Sequence, residues 1–388
     1  MDVRSAITTH IRPLDKGMIL NRGSQLIDDG AFRRLENFYV TPEGLRRRPG
    51  FESFLSGDTV PYPMVDFVTA WKANGGQENI LITTKSLFVV NASTGYSEVA
   101  WGFSGTGMEV VETSTDLYDV TDSAATFLSE DLMIGDFVRI GGQEAEVLAV
   151  LNDTVLAVRG ALTPGTGYDY TIQRAFGPGL CTSVDWVLHE NYLLLTDGKR
   201  SILQYNIGLG TIEYWINDPG YFPPGTTSFA CGCIASFQNR IWVAYTNDDV
   251  DGVTRQRIRW SALANSRNFA IATNYLDLPY SDSEVLRLVP QGPALVAYFS
   301  DIIYRGTQTN FPTLPLRFDP VETGGIGLVG LKAVTTFLGS HFFVGRNDIY
   351  SLTGANVQRI GAPIARDSIS ICEVPKQCRV VVDAINYQ

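Results

Sequence analysis

One pattern recurs along the chain and restricts the fold more than any other: an apolar strand, a short polar turn and a second apolar strand. It is present in residues 80–90 (ILITTKSLFVV), 192–205 (YLLLTDGKRSILQY), 295–304 (LVAYFSDIIY) and 341–352 (HFFVGRNDIYSL). A fifth copy joins residues 241–245 (IWVAY) to 257–261 (RIRWS) through a longer turn containing Asn247, Asp248 and Asp249. Apolar alternation around Asp, Asn, Gly or Lys turns is the signature of a β-hairpin. From Leu194 to Trp242, Val296 and Phe343 the copies recur about every 50 residues, a period that points to the blades of a β-propeller.

The interval from Ile82 to Leu194 is longer by roughly one small domain. The excess lies in residues 108–172, which carry a strand pattern of their own: DFVRI, a Gly141-Gly142 turn, EAEVLAV, then an Asn152-Asp153 turn. The expected organisation is an N-terminal arm (1–30), a first propeller part (31–107), a small inserted β-barrel domain (108–172) and the remainder of the propeller (173–388). The fold class is all-β, with about five to six blades. The C-terminal run 379–385 (RVVVDAI) has no partner hairpin after it, and 34–40 has none before it. Pairing the N- and C-terminal strands in one blade would close the ring and bury both edges.

Composition agrees. Hydrophobic residues make up 45% of the chain and charged residues 18%, with 37 Gly, 17 Tyr and 20 Phe, a mixture suited to short strands and tight turns. The net charge of -11 argues against nucleic acid as a tightly held ligand, because phosphate binding needs clustered cations. An acidic wall still suits DNA as passing cargo. No apolar run reaches the length of a membrane span.

No cofactor or metal is expected. Cys181, Cys231, Cys233, Cys372 and Cys378, with His10, His189 and His341, lack zinc-ligand spacing, and buried reduced thiols are the simpler reading. Asp248, Asp249 and Asp251 precede Gly252 but depart from the EF-hand order, so a hairpin tip is expected. Asp185, Asp197, Asp301 and Asp348 recur near the blade hairpins, where turn chemistry alone calls for Asp. Nucleophile elbows, P-loops and HExxH motifs are missing. The Gly-rich segments 103–107 and 324–327 read as loops. The expectation is that the chain is not an enzyme.

Residues 26–51 (LIDDGAFRRLENFYVTPEGLRRRPGF) stand apart. Asp28-Asp29-Gly30 and Thr41-Pro42-Glu43-Gly44 read as turns flanking a strand over 34–40. The return strand carries Arg46, Arg47 and Arg48 and is stopped by Pro49-Gly50. This block, through Asp29-Gly30-Ala31, Glu36-Asn37, Gly44-Leu45 and Arg48-Pro49-Gly50, resembles the opening of the β-propeller tail proteins that form the nozzle, or packaged-DNA stabilisation ring, of short-tailed bacteriophages.

The resemblance covers about a tenth of the chain and implies no catalytic residues. It implies a virion tail protein, assembled in the host cytoplasm as a homohexamer. Such a ring would dock on a tail adaptor or portal ring, with tail fibres or spikes as further partners, retain packaged double-stranded DNA and let it leave on infection. Arg46, Arg47 and Arg48 are the candidate interface residues, since forked guanidinium donors suit an acidic neighbour. The alternative reading is a carbohydrate-binding or glycan-cleaving propeller, with Trp101, Tyr214, Trp215, Trp242 and Trp260 stacking on sugars.

Overall fold

A computed structural model of the chain describes residues 38–41, 44–47, 61–91, 95–176, 184–278, 282–311, 313–321, 324–361 and 378–381. The expected N-terminal arm lies outside these residues. Within them, five four-stranded antiparallel sheets and one closed barrel account for nearly all the strands.

Each sheet consists of four consecutive strands. Blade one is β3 (Met64–Trp71), β4 (Gln77–Thr83), β5 (Leu87–Asn91) and β6 (Gly95–Glu98). Blade two is β13 (Asp185–His189), β14 (Tyr192–Thr196), β15 (Leu203–Asn206) and β16 (Thr211–Tyr214). Blade three is β17 (Phe229–Phe237), β18 (Arg240–Asp248), β19 (Gly252–Trp260) and β20 (Tyr275–Asp277). Blade four is β21 (Arg287–Gln291), β22 (Ala294–Tyr298), β23 (Ile303–Phe311) and β24 (Leu314–Val321). Blade five is β25 (Val334–Phe337), β26 (Ser340–Val344), β27 (Ile349–Thr353) and β28 (Asn356–Arg359). The repeated hairpin of the sequence is the second and third strand of every blade. Those strands are the most apolar because they are covered on both sides, as the fully buried β22 illustrates.

Apolar clusters join the blades in turn. Leu193, Leu195 and Tyr205 meet Ile80 and Ile82 between blades one and two, and Leu194 and Ile202 meet Ile234 and Val243 between two and three. Trp242 and Trp260 meet Leu295 and Phe299 between three and four. Tyr298 and Val296 meet Phe343 and Leu352 between four and five.

The expected shared closing blade lies for the most part outside the described residues, which include 38–40 of the run 34–40 and 379–381 of the run 379–385. β1 (Phe38–Thr41) pairs with β2 (Gly44–Arg47) as a separate two-stranded sheet, since a hairpin partner so near in sequence costs little loop entropy. Among the described C-terminal residues, Val380 donates its N–H to the Lys332 carbonyl and the Arg379 guanidinium reaches the Val65 carbonyl at 2.8 Å. Residues 378–381 thus tie blade five to blade one through individual bonds.

The barrel has six strands: β7 (Gly102–Ser114), β8 (Leu117–Thr121), β9 (Phe137–Ile140), β10 (Gln143–Asn152), β11 (Val155–Gly160) and β12 (Gly165–Gln173). They close in the order β10-β11-β8-β7-β12-β9. The Gly-rich run 103–107, expected to be a loop, belongs to β7. Gly105 lies under the Tyr170 ring, where a Cβ would come within 2.5 Å of ring atoms. Glycine there marks close approach inside a sheet.

The barrel is inserted between blades one and two, on the side of the propeller that carries the turns between second and third strands. Its anchor is the Arg200–Asp136 pair, 2.5 Å apart with both side chains fully buried. Asp136 also accepts the N–H groups of Ala175 and Met133, each at 2.9 Å. Arg139 adds a bond to Glu98 at 2.7 Å, and the Lys85 ammonium sits 4.0 Å from the Phe137 ring centre.

His341 shows how the blades constrain titration. Its Nε2 donates to the Pro290 carbonyl at 3.0 Å, so Nδ1 accepts from the Tyr298 hydroxyl at 2.8 Å. Burial pushes this imidazole down to about 4, the Pro290 bond opposing only in part. The unfolded chain therefore takes up the proton first. The stabilisation is complete above the ordinary value of 6.5 and is lost as pH falls toward 4. The expected loss is about 3 kcal/mol. Urea unfolding at pH 7 and pH 4 should show the wild type losing about that much more stability than His341→Gln. Parallel losses would assign the acid sensitivity elsewhere.

Candidate functional site

The innermost strands of the five blades converge on one buried cluster of charges. Asp66 lies on β3, Asp185 opens β13, Arg287 opens β21, and Lys332 lies two residues before β25. The Lys332 ammonium is 3.3 Å from Asp185 and 3.7 Å from Asp66. Arg287 approaches Asp185 at 3.7 Å and donates to the Leu331 carbonyl at 2.8 Å. Blade three contributes the Ile234 N–H, which reaches the second Asp185 oxygen at 3.0 Å. Arg379 pairs with Asp66, and the Trp186 indole N–H donates to it at 2.7 Å.

The sequence carries a matching signal. Val65-Asp66-Phe67-Val68 and Val184-Asp185-Trp186-Val187 share one pattern, and Leu286-Arg287-Leu288-Val289 and Leu331-Lys332-Ala333-Val334 repeat it with bases. Acids come from blades one and two, bases from four and five.

Chemically, this is mutual neutralisation. Burial pushes the Asp66 carboxyl up, but the Trp186 hydrogen bond and the charges of Lys332 and Arg379 outweigh it and hold the carboxyl below its ordinary value. A glycosidase acid needs the opposite shift. Burial pushes the Lys332 ammonium down, opposed by Asp185 and Asp66. The cluster lies where the first strands of the blades approach one another.

The other acidic candidates do not join it. Asp197 accepts the N–H groups of Lys199 and Arg200 within its turn, Asp348 pairs with Arg359, and Asp301 accepts from Ser283 at 2.7 Å. Asp248 accepts from Val250 and Asp251. Asp249 binds Thr227 and Ser228, and the Thr227 hydroxyl and amide bring its carboxyl down to about 2. Each carboxylate is thus held by partners of its own, within a turn for Asp197 and Asp248, and no cluster of three metal-ligating side chains occurs among the described residues.

Cys231 and Cys233 are buried thiols in different clusters, the first between blades two and three, the second between three and four. Cys181 and Cys372 lie outside the described residues. Trp101, Trp215, Trp242 and Trp260 are at most 5% exposed, and Tyr214 hydrogen-bonds Asp131, so the aromatics expected to stack on sugars serve packing. Arg46 and Arg47 fall on β2, opposite Tyr39 and Phe38. Arg48 lies outside the described residues.

No family model and no curated sequence matches the chain. Among solved structures it is similar to an endosialidase of phage phi92, at 12% identity over 75% of this chain and 51% of that one, with a TM-score of 0.28. The extracellular domain of a one-component system from B. thetaiotaomicron is 11% identical over 77% of this chain and 33% of that one, with a TM-score of 0.33. A virginiamycin B lyase from Staphylococcus aureus is 13% identical over 79% and 87%, with a TM-score of 0.32. The chain thus spans about half of the endosialidase and a third of the one-component-system chain. Likenesses this distant leave the fold resting on the chain's own sheet order.

Removing Lys332 leaves two buried carboxylates short of a cation, a change that typically costs roughly 3–5 kcal/mol. Lys332→Met should lower stability by that order in urea unfolding. A loss under about 1 kcal/mol, the scale of an exposed pair, would show the cluster to be well solvated.

Proposed function

We infer that the chain is a structural component of a short phage tail, whose copies assemble into a ring that continues the path of packaged DNA, retains it and lets it leave. The observation that carries this reading is the N-terminal block: Asp29-Gly30-Ala31, Glu36-Asn37, Gly44-Leu45 and Arg48-Pro49-Gly50, set around the β1–β2 hairpin. Six copies and a seat on an adaptor or portal ring follow from the same resemblance.

The axial charges support an assembly role. With the first strands of the blades drawn together on these charges, the conduit is read as lying between copies and not through one. A chain of net charge -11 gives such a conduit repulsive walls past which a polyanion slides. Arg46, Arg47 and Arg48 concentrate positive charge in this acidic chain and would meet an acidic patch on a neighbouring copy in a head-to-tail contact.

The test is the mass and shape of the purified full chain. Light scattering should give a multimer, and electron micrographs a ring with a central opening. Replacing Arg46, Arg47 and Arg48 together by Glu should shift the mass toward the monomer while the β circular-dichroism signal persists, at a cost of several kcal/mol (~2–5) if the pairs are desolvated. A wild type that stays monomeric at micromolar concentration and at low and high salt would overturn the ring reading. A triple variant that assembles normally would remove the arginines from the interface.

A further inference from the structure

On the propeller face opposite the barrel, two clefts meet. The first, about 670 Å³, lies between blades two and three, where His189, Glu190, Ser236, Asn265 and Arg267 line it. The second, about 660 Å³, continues toward blade four past Arg240, Gln308, Asn310 and Phe311. Asn239 and Leu263 line both, so the clefts form one groove across three blades.

We propose that this groove binds a neutral oligosaccharide, with His189, Asn239 and Asn265 bonding its hydroxyls and Leu263 and Phe311 packing against its ring faces. His189 is the built polar element. It is 9% exposed, its Nδ1 is engaged with the Ser236 hydroxyl at 2.9 Å, and its Nε2 has no hydrogen-bond partner. Glu190 stands 3.9 Å from that nitrogen, beyond hydrogen-bond reach, and its side chain is 68% exposed and able to swing aside. A ligand hydroxyl entering there donates to one group and accepts from the other. Burial holds the imidazole below its ordinary pKa, with Glu190 opposing, which favours the neutral ring that both donates and accepts.

The remaining chemistry selects among ligand classes. Asn265 accepts the Arg267 N–H with its oxygen at 3.0 Å, which leaves its amino group as a donor. Gln308 and Asn310 add exposed amides. Phe311 is 68% exposed and Leu263 61%; flat apolar surface beside convergent polar groups suits a sugar, which has a C–H face and a hydroxyl rim. Phosphate chains fit poorly because the arginines are already engaged. Arg267 donates to the Trp215 carbonyl and to Gln204, with its guanidinium 4.1 Å from the Trp215 ring centre. Arg240 donates to the Ser261 carbonyl at 2.6 Å.

The experiment is titration calorimetry of the full chain against maltohexaose, cellohexaose and chitohexaose, with chemical-shift or saturation-transfer NMR for weak binding. At least one should bind with a Kd of about 1 mM or tighter. Asn239→Gly removes the shared amide and suits the backbone, since Asn239 has φ 55°. It and Phe311→Ala should each weaken binding about tenfold. Leu209→Ala, exposed on the same face but outside the groove, should leave binding unchanged. No binding of any of the three hexasaccharides, or binding that survives both groove variants, would overturn the proposal. Ring assembly is measured separately, so either result stands whatever the oligomeric state.

Discussion

A buried ammonium cannot stand without compensation, and Lys332 is the ammonium around which the blades are arranged. Its partners are 147 and 266 residues away, on the first strands of blades two and one. Moving a single charge into a protein interior costs several kcal/mol even after relaxation, and only close partners recover it. The cluster therefore stabilises little in net terms. What it does is discriminate: a register slip of one residue in β3 or β13 would carry Asp66 or Asp185 to the opposite face of its strand. Lys332 and Arg287 would then lose their counter-charges. The apolar clusters between blades supply cohesion, and the axial charges select one arrangement of it.

Much of this was legible in the sequence because hairpins are local. Period-two alternation around short polar turns in residues 80–90, 192–205, 295–304 and 341–352 directly specifies second and third strands, and the even spacing of the copies after residue 192 specifies blades. The first strands were harder to read. β3 and β13 each carry a buried Asp amid apolar residues, and a pattern search for alternation has no reason to treat such a residue as central. Only the juxtaposition of two acidic and two basic copies of one pattern reveals it. The barrel's start was hidden for another reason. Strand signals come from side chains, and Gly102, Gly105 and Gly107 have none, although Gly102 faces the Ile172 carbonyl so closely that a Cβ would lie 1.7 Å from it.

The inserted barrel poses a different physical problem. An insertion at a loop is tolerated when its ends lie close together, but tolerance alone leaves it free to swing. Here the fully buried Arg200–Asp136 pair, flanked by the Trp101 ring 5.3 Å from the guanidinium, makes swinging expensive, since separation exposes two charges to incomplete hydration at once. The Lys199 ammonium reaching the Ile134 carbonyl at 2.5 Å extends the contact along the same turn. That turn belongs to the repeated hairpin of blade two, so the feature that makes a blade also makes the seat of the barrel.

The seams between blades are unequal in kind. Four consecutive pairs meet through apolar clusters, whereas the described contacts between blade five and blade one are Lys332 with Asp66 and the segment 378–381, where Arg379 holds Asp66 and the Val65 carbonyl. Apolar contact is non-directional and tolerates sliding; charge-assisted hydrogen bonds are short and directional. In the described part of the last seam, Asp66 is held by Lys332, Arg379 and the Trp186 indole together. Asp66 sits at that seam, so the carboxylate that holds Arg379 is also one of the two that neutralise Lys332.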